Sequence, residues 1–170
     1  MKYFLLETDD RTPQPHFLDW YNEMQPKKQT SGDIPRLNSF TVKLSREAAF
    51  ADIVTYPYFM LSKDFSNLVR AYDDGIRFKY AILYDRENRR HYTYGMPMLE
   101  TVDCLAPESE FNRDHSVLHK GVLREEAVRG RALFQLGGVK NRYIAGSLEL
   151  IESAFRREVT GLSIRELSIK

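Results

Sequence analysis

Cys104 is the only cysteine in 170 residues, so the chain can form no internal disulfide, and one thiol in a chain of this length is the usage of a reducing compartment. No hydrophobic run approaches membrane-spanning length. The opening Met-Lys-Tyr-Phe-Leu-Leu stretch meets Glu7, Asp9 and Asp10 at once, too soon for a signal-peptide core or a transmembrane helix. No excess of one charge exists either. The 25 Lys and Arg nearly cancel the 24 Asp and Glu, for a formal charge of +1, so no broad field steers the chain toward nucleic acid or an anionic membrane. These absences lead to the expectation of a cytoplasmic protein without a membrane partner.

At 42% hydrophobic and 29% charged residues, the composition is that of a globular chain. The length fits one domain, residues 1–170, able to bury a core without disulfide or structural metal, so no cofactor is expected.

Residues 2–7 form an aromatic and aliphatic run bounded by Thr8, Asp9 and Asp10, and predict a short buried strand. The N-terminal part that follows, to about residue 40, is proline-rich. Four of the seven prolines stand at 13, 15, 26 and 35, which argues against long regular elements. A short amphipathic turn over 16–24 would dock Phe17, Trp20 and Tyr21. Long irregular segments often carry function, and Trp20 and Tyr21 are therefore the candidate partner-binding residues, with plugging of the core edge as their alternative role.

Beyond it, 40–44 alternates like a half-buried strand, and Ser45 offers an N-cap for a short helix through Ala48, Ala49 and Ile53. Two later stretches then follow the same plan. Tyr58-Phe59-Met60-Leu61 leads to Ser62 as N-cap, with Phe65, Leu68, Val69 and Tyr72 at helical spacing and a strand over 76–84. Tyr143-Ile144-Ala145 leads to Ser147, with Leu148, Ile151, Phe155 and Val159 along one face and a strand through Leu162, Ile164 and Leu167. Ser62 and Ser147 precede Gly75 and Gly161 by 13 and 14 residues. Duplication and chance likeness of two ordinary units both fit this pattern. Hairpins are predicted around 85–90 and around Gly137-Gly138, and another strand over 99–105. The expected fold is α+β, with a mixed or mainly antiparallel sheet and a few short amphipathic helices.

No recognisable catalytic or metal-binding constellation emerges, and neither a catalytic residue nor a metal ligand is assigned. His115 and His119 would share a face only if helical, and no Glu beside His115 completes a zincin pattern. Cys104 lies between the apolar Val102 and Leu105 and reads as a buried thiol. Gly137-Gly138 lacks the spacing of a phosphate loop. The acidic pairs Asp9-Asp10, Asp73-Asp74 and Glu125-Glu126 have the composition of solvated turns and helix faces, with convergence into an acid–base site as the alternative. Arg86, Arg89, Arg90, His91, Tyr92 and Tyr94 interleave cations and rings as single-strand nucleic-acid binders do, although the neutral charge weighs against that partner.

Three runs, Val102-Asp103-Cys104-Leu105-Ala106-Pro107-Glu108-Ser109-Glu110-Phe111, Arg131-Ala132-Leu133-Phe134-Gln135-Leu136 and Thr160-Gly161-Leu162-Ser163-Ile164-Arg165-Glu166-Leu167, resemble in order and spacing the C-terminal half of a family of bacterial immunity proteins found beside toxins in polymorphic-toxin loci. The likeness spans about residues 57–169. Ser109, Phe111, Phe134, Thr160 and Gly161 fit the family pattern, whereas Ala106 replaces an expected Asp and Gln135 stands where Arg is usual. The resemblance implies a protein that binds and neutralises a cognate toxin without turnover. A small enzyme with an acidic or histidine site assembled by folding, and a nucleic-acid binder using the 86–94 hairpin, are the competing readings.

Overall fold

A computed structural model describes residues 1–18 and 34–170; Trp20 and Tyr21 lie outside these described residues. The chain folds as α+β, with three helices and fourteen strands in mixed sheets among the described residues. These divide into two compact units. An N-terminal unit comprises Thr8–Met98 and Glu158–Leu162, and a C-terminal unit comprises Met1–Glu7, Leu99–Arg157 and Ser163–Lys170. No helix among the described residues is long and apolar enough to cross a membrane.

The N-terminal unit is built on a six-stranded sheet. Its strands are β2 (His16–Phe17), β3 (Leu37–Lys43), β4 (Ile53–Val54), β5 (Met60–Leu61), β6 (Arg77–Asp85) and β7 (Arg90–Met98), in the order β2-β3-β6-β7-β5-β4. β3 runs parallel to β6, and β7 is antiparallel to both β6 and β5. Helix α1 (Lys63–Tyr72) joins β5 to β6. As expected from the sequence, the Ser62 side chain caps it by accepting the Phe65 N–H at 3.2 Å, and Phe65, Leu68 and Val69 form its buried face.

The pleat sends alternate residues of each strand to opposite faces. Phe40 and Val42, Ala81 and Leu83, and Tyr94 and Met96 point to one side and join Phe17, Ile34, Val54, Tyr58 and Met60 in the core. At the end of this core Asp85, fully buried, holds Arg90 in an ion pair at 2.8 Å. The other guanidinium nitrogens of Arg90 donate to the Ala48 carbonyl at 2.5 Å and the Ser45 carbonyl at 2.6 Å, while Asn88 donates to the Leu44 carbonyl at 2.9 Å.

This network explains a departure from the sequence reading. The helix expected after Ser45 does not form, because its carbonyls are taken by side chains from the β6–β7 hairpin, and Ile53 enters β4 instead. Local propensity yields to a tertiary partner.

The C-terminal unit has its own six-stranded sheet. Its strands are β1 (Tyr3–Thr8), β8 (Thr101–Val102), β11 (Val122–Leu123), β12 (Leu133–Leu136), β13 (Ile144–Ser147) and β14 (Leu162–Ile169), in the order β11-β14-β1-β13-β12-β8. Strands β9 (Glu110–Phe111) and β10 (Leu118–Lys120) form a separate hairpin. Two helices belong to this unit, the single turn α2 (Glu125–Val128) and α3 (Leu148–Arg156). Ser147 caps α3 through the Leu150 N–H at 3.4 Å. The expected strand over 99–105 shrinks to β8, since Val102 accepts from Gly137 whereas Cys104 accepts from Arg124, so the chain leaves one partner for another. Helix α3 also stops short of Val159, and Glu158 has a left-handed φ of 55°.

The two strand-helix-strand stretches occupy equivalent places in their sheets. In each, the helix links strands that flank one central strand: β5 and β6 about β7, β13 and β14 about β1. The equivalence extends outward, with β4 antiparallel to β5 as β12 is to β13, and β3 parallel to β6 as β11 is to β14. The central strand alone differs in chain position, following its helix as β7 but preceding the whole unit as β1.

The buried Asp85 gives a stability prediction. Burial pushes its carboxyl up, but hydrogen bonds from Asn88 and Arg90 outweigh that and hold it below its ordinary value. A depressed carboxyl contributes stability above its unfolded value of about 3.9 and loses it as pH falls through the folded value. Asp85→Ala should lower unfolding free energy in urea by about 2–4 kcal/mol at pH 7. The difference from the parent should narrow when the titration is repeated below about pH 3.9.

Candidate functional site

Helix α1 covers only part of the second face of the N-terminal sheet. Gly95 makes the close approach possible, as a Cβ there would lie 2.5 Å from the Ser66 Oγ. Next to it the Arg70 guanidinium sits 4.1 Å over the Phe78 ring and donates to the Tyr80 hydroxyl at 3.2 Å.

Beyond Arg70, two ladder rows continue in register, Ser39 with Ile82 and Thr93, then Thr41 with Tyr84 and His91. Leu37 heads the β3 side of this face, opposite Tyr80. Leu37 is 60% exposed and Tyr84 41% exposed, while Ile82 is half-buried and His91 and Thr93 are exposed. Tyr84 leans on His91 with ring centroids 5.9 Å apart. At the adjoining turn Arg86 and Arg89 are exposed, and Lys43 pairs with Glu87 at 3.5 Å. The result is an open surface on three hydrogen-bonded strands in which Leu37, Ile82 and Tyr84 stand among hydroxyls and an imidazole, with a mostly cationic margin.

The residues singled out from sequence are distributed differently. Of the interleaved cluster 86–94, Arg90 is committed to Asp85 and two carbonyls, and Tyr94 is buried with its hydroxyl donating to the Ala51 carbonyl at 2.6 Å. Tyr92 stacks on Phe50, ring centroids 5.6 Å apart. The pleat thus divides the cluster, and of its cationic and aromatic strand residues only His91 reaches the open face. Tyr84, Ile82 and Leu37 were not singled out from the sequence; the signal was there in the 78–84 alternation, but not which face a helix would cover.

His115 and His119 share no helix. His115 lies in the β9–β10 turn with φ 58°, stacked on Phe111, and His119 is exposed on β10. The acidic pairs belong to different elements: Asp9-Asp10 follow β1, Asp73-Asp74 follow α1, and Glu125-Glu126 open α2. Among the described residues no three His, Cys, Asp or Glu side chains come close enough to hold a metal.

A cleft of about 480 Å³ in the C-terminal unit is lined by residues that include Glu108, Glu125, Glu126, Arg124, Arg129 and Lys170. Four of its charges pair within it, Lys170 with Glu108, and Arg129 with Glu125 at 3.2 Å, while Arg124 pairs with Asp103 at 3.3 Å.

No family model and no curated protein matches this chain. Within the runs 102–111, 131–136 and 160–167, four residues have structural roles. The Ser109 hydroxyl bridges the N–H and C=O of Val122, both at 3.1 Å, and Phe134 meets Tyr3 edge to face at 5.5 Å. The Thr160 N–H and hydroxyl both donate to Asp52, at 2.7 and 2.9 Å. Gly161 takes a left-handed φ of 78° with Ala51 so close that a Cβ would lie 2.8 Å from its side chain.

Cys104 is fully buried, and burial pushes its thiol up to about 11. A thiol-specific chromogenic reagent at pH 7.5 should therefore label the folded protein no faster than it unfolds, with full reaction on adding denaturant. Prompt labelling of the native chain would contradict this burial. At the open face, Tyr84→Ala should change unfolding free energy by no more than about 1 kcal/mol, measured by urea titration.

Proposed function

We propose that this chain is a cytoplasmic protein that binds a cognate bacterial toxin and neutralises it by occupancy, with no turnover of its own. The open face of the N-terminal sheet carries this reading. Leu37, Ile82 and Tyr84 stand on a rigid three-stranded platform rather than in the core, and exposed aromatic and aliphatic groups on a preorganised surface are what a protein interface uses as anchors. Preorganisation lowers the entropy cost of association, so a surface of modest size can bind tightly.

The likeness of 57–169 to immunity proteins supplies the partner class. It places no binding residue on this chain, because Ser109, Phe134, Thr160 and Gly161 shape loops and core contacts.

Coexpression with a toxin encoded by the adjacent gene should restore growth, and the two purified proteins should comigrate on size exclusion. Absence of protection together with absence of a complex would sink the proposal.

A further inference from the structure

The neutralising role leaves open which surface meets the toxin and what the toxin must offer in return. Three features of the N-terminal sheet bear on both. Along the open face Leu37 stands opposite Tyr80, and Ile82 and Tyr84 follow on β6 in the next two ladder rows, flanked by Ser39, Thr41, Thr93 and His91. Its margin at the β6–β7 turn holds three cations, Lys43, Arg86 and Arg89, against one carboxylate, Glu87. Arg86 and Arg89 form no ion pair with any described residue, in contrast to Arg90 beside them, which is consumed by Asp85.

We infer that this face is the docking surface for a protein partner that presents an apolar projection ringed by carboxylates. Complementary potentials at an interface margin accelerate encounter and fix orientation, while the desolvated centre sets the lifetime of the complex. A second copy of this chain fits poorly, because an isologous contact would present the same cation-rich face and supply no ring of carboxylates. A single-stranded nucleic acid is also disfavoured. Tyr92 and Tyr94 face the core, and the ring of Tyr84 already leans on His91, which leaves few free ring faces for stacking bases.

The inference rests on the neutralising role but can fail separately from it. The purified product of the adjacent toxin gene would be titrated against the full chain, against Arg86→Glu/Arg89→Glu, against Ile82→Asp and against Tyr84→Ala, each checked for folding by circular dichroism. The charge reversal should slow association about tenfold at low salt and much less at high salt, since exposed charges are screened there. Ile82→Asp should speed dissociation by about tenfold or more. Tyr84→Ala, at an exposed position, carries the same test if Ile82→Asp does not fold.

Unchanged kinetics in the charge-reversed and Tyr84→Ala proteins, with protection by the parent intact, would overturn the surface while leaving neutralisation standing. Retention of the parent on oligothymidylate, lost in the charge-reversed protein while toxin binding persists, would reassign the face to nucleic acid. A parent dimer dissolved by Tyr84→Ala would reassign it to self-association. Failure of any complex to form, together with failure of protection, would remove both ideas.

Discussion

The N-terminal unit depends on one buried ion pair. Asp85 is entirely removed from water at the end of β6, and it is tolerable there because Arg90 and Asn88 satisfy its oxygens from the adjoining turn. With its carboxylate neutralised, Arg90 has donors to spare for the carbonyls of Ser45 and Ala48. A segment that lacks regular structure is thereby tied across the core end of the sheet, where Phe50 stacks on Tyr92. The same interaction decides which face is core and which is surface. Once even-numbered residues of β7 are fixed inward by Arg90, His91 and Thr93 must point the other way.

Where a signal was local, the sequence was legible. Ser62 and Ser147 cap helices as their spacing indicated, and the alternation over 76–84 marked β6. The reading faltered where long-range partners intervened. Nothing near Ser45 announces that a guanidinium 45 residues later will claim its carbonyl, and nothing in 99–105 shows that the strand will change neighbours after Val102. The candidate surface escaped notice for a related reason. Its side chains come from three strands, and their exposure reflects how much of the face is left by α1, which ends at Tyr72 with Asp73 as its C-cap. The 86–94 cluster, conversely, looked like one surface in the sequence because linear proximity conceals the pleat. Trp20 and Tyr21 fall outside the described residues.

The shared strand order of the two units gives a frame for these details. In both, a serine-capped helix of nine or ten residues carries the chain over a central strand. In the N-terminal unit that central strand is β7, joined to β6 by the tight turn that holds the Asp85 pair. The C-terminal unit has no such turn, and its central strand is held by neighbours alone: β1 pairs with β13, and Tyr3 donates its hydroxyl to the Arg131 carbonyl at 3.1 Å. Similar sheets are thus stabilised by a local hairpin in one case and by distant contacts in the other.

That difference sets an order of events during synthesis. Tyr3 pairs with Ser147, 144 residues further along the chain, so β1 leaves the ribosome long before its partner exists. At about 5–20 residues per second, the interval is roughly 7–30 seconds. Throughout it, Tyr3, Leu5 and Leu6, all buried in the finished fold, belong to a nascent strand with no sheet to enter. The hairpin-centred sheet can organise meanwhile from contacts close in sequence. Strand β1 is therefore among the last elements to find its place, although it is made long before its partners.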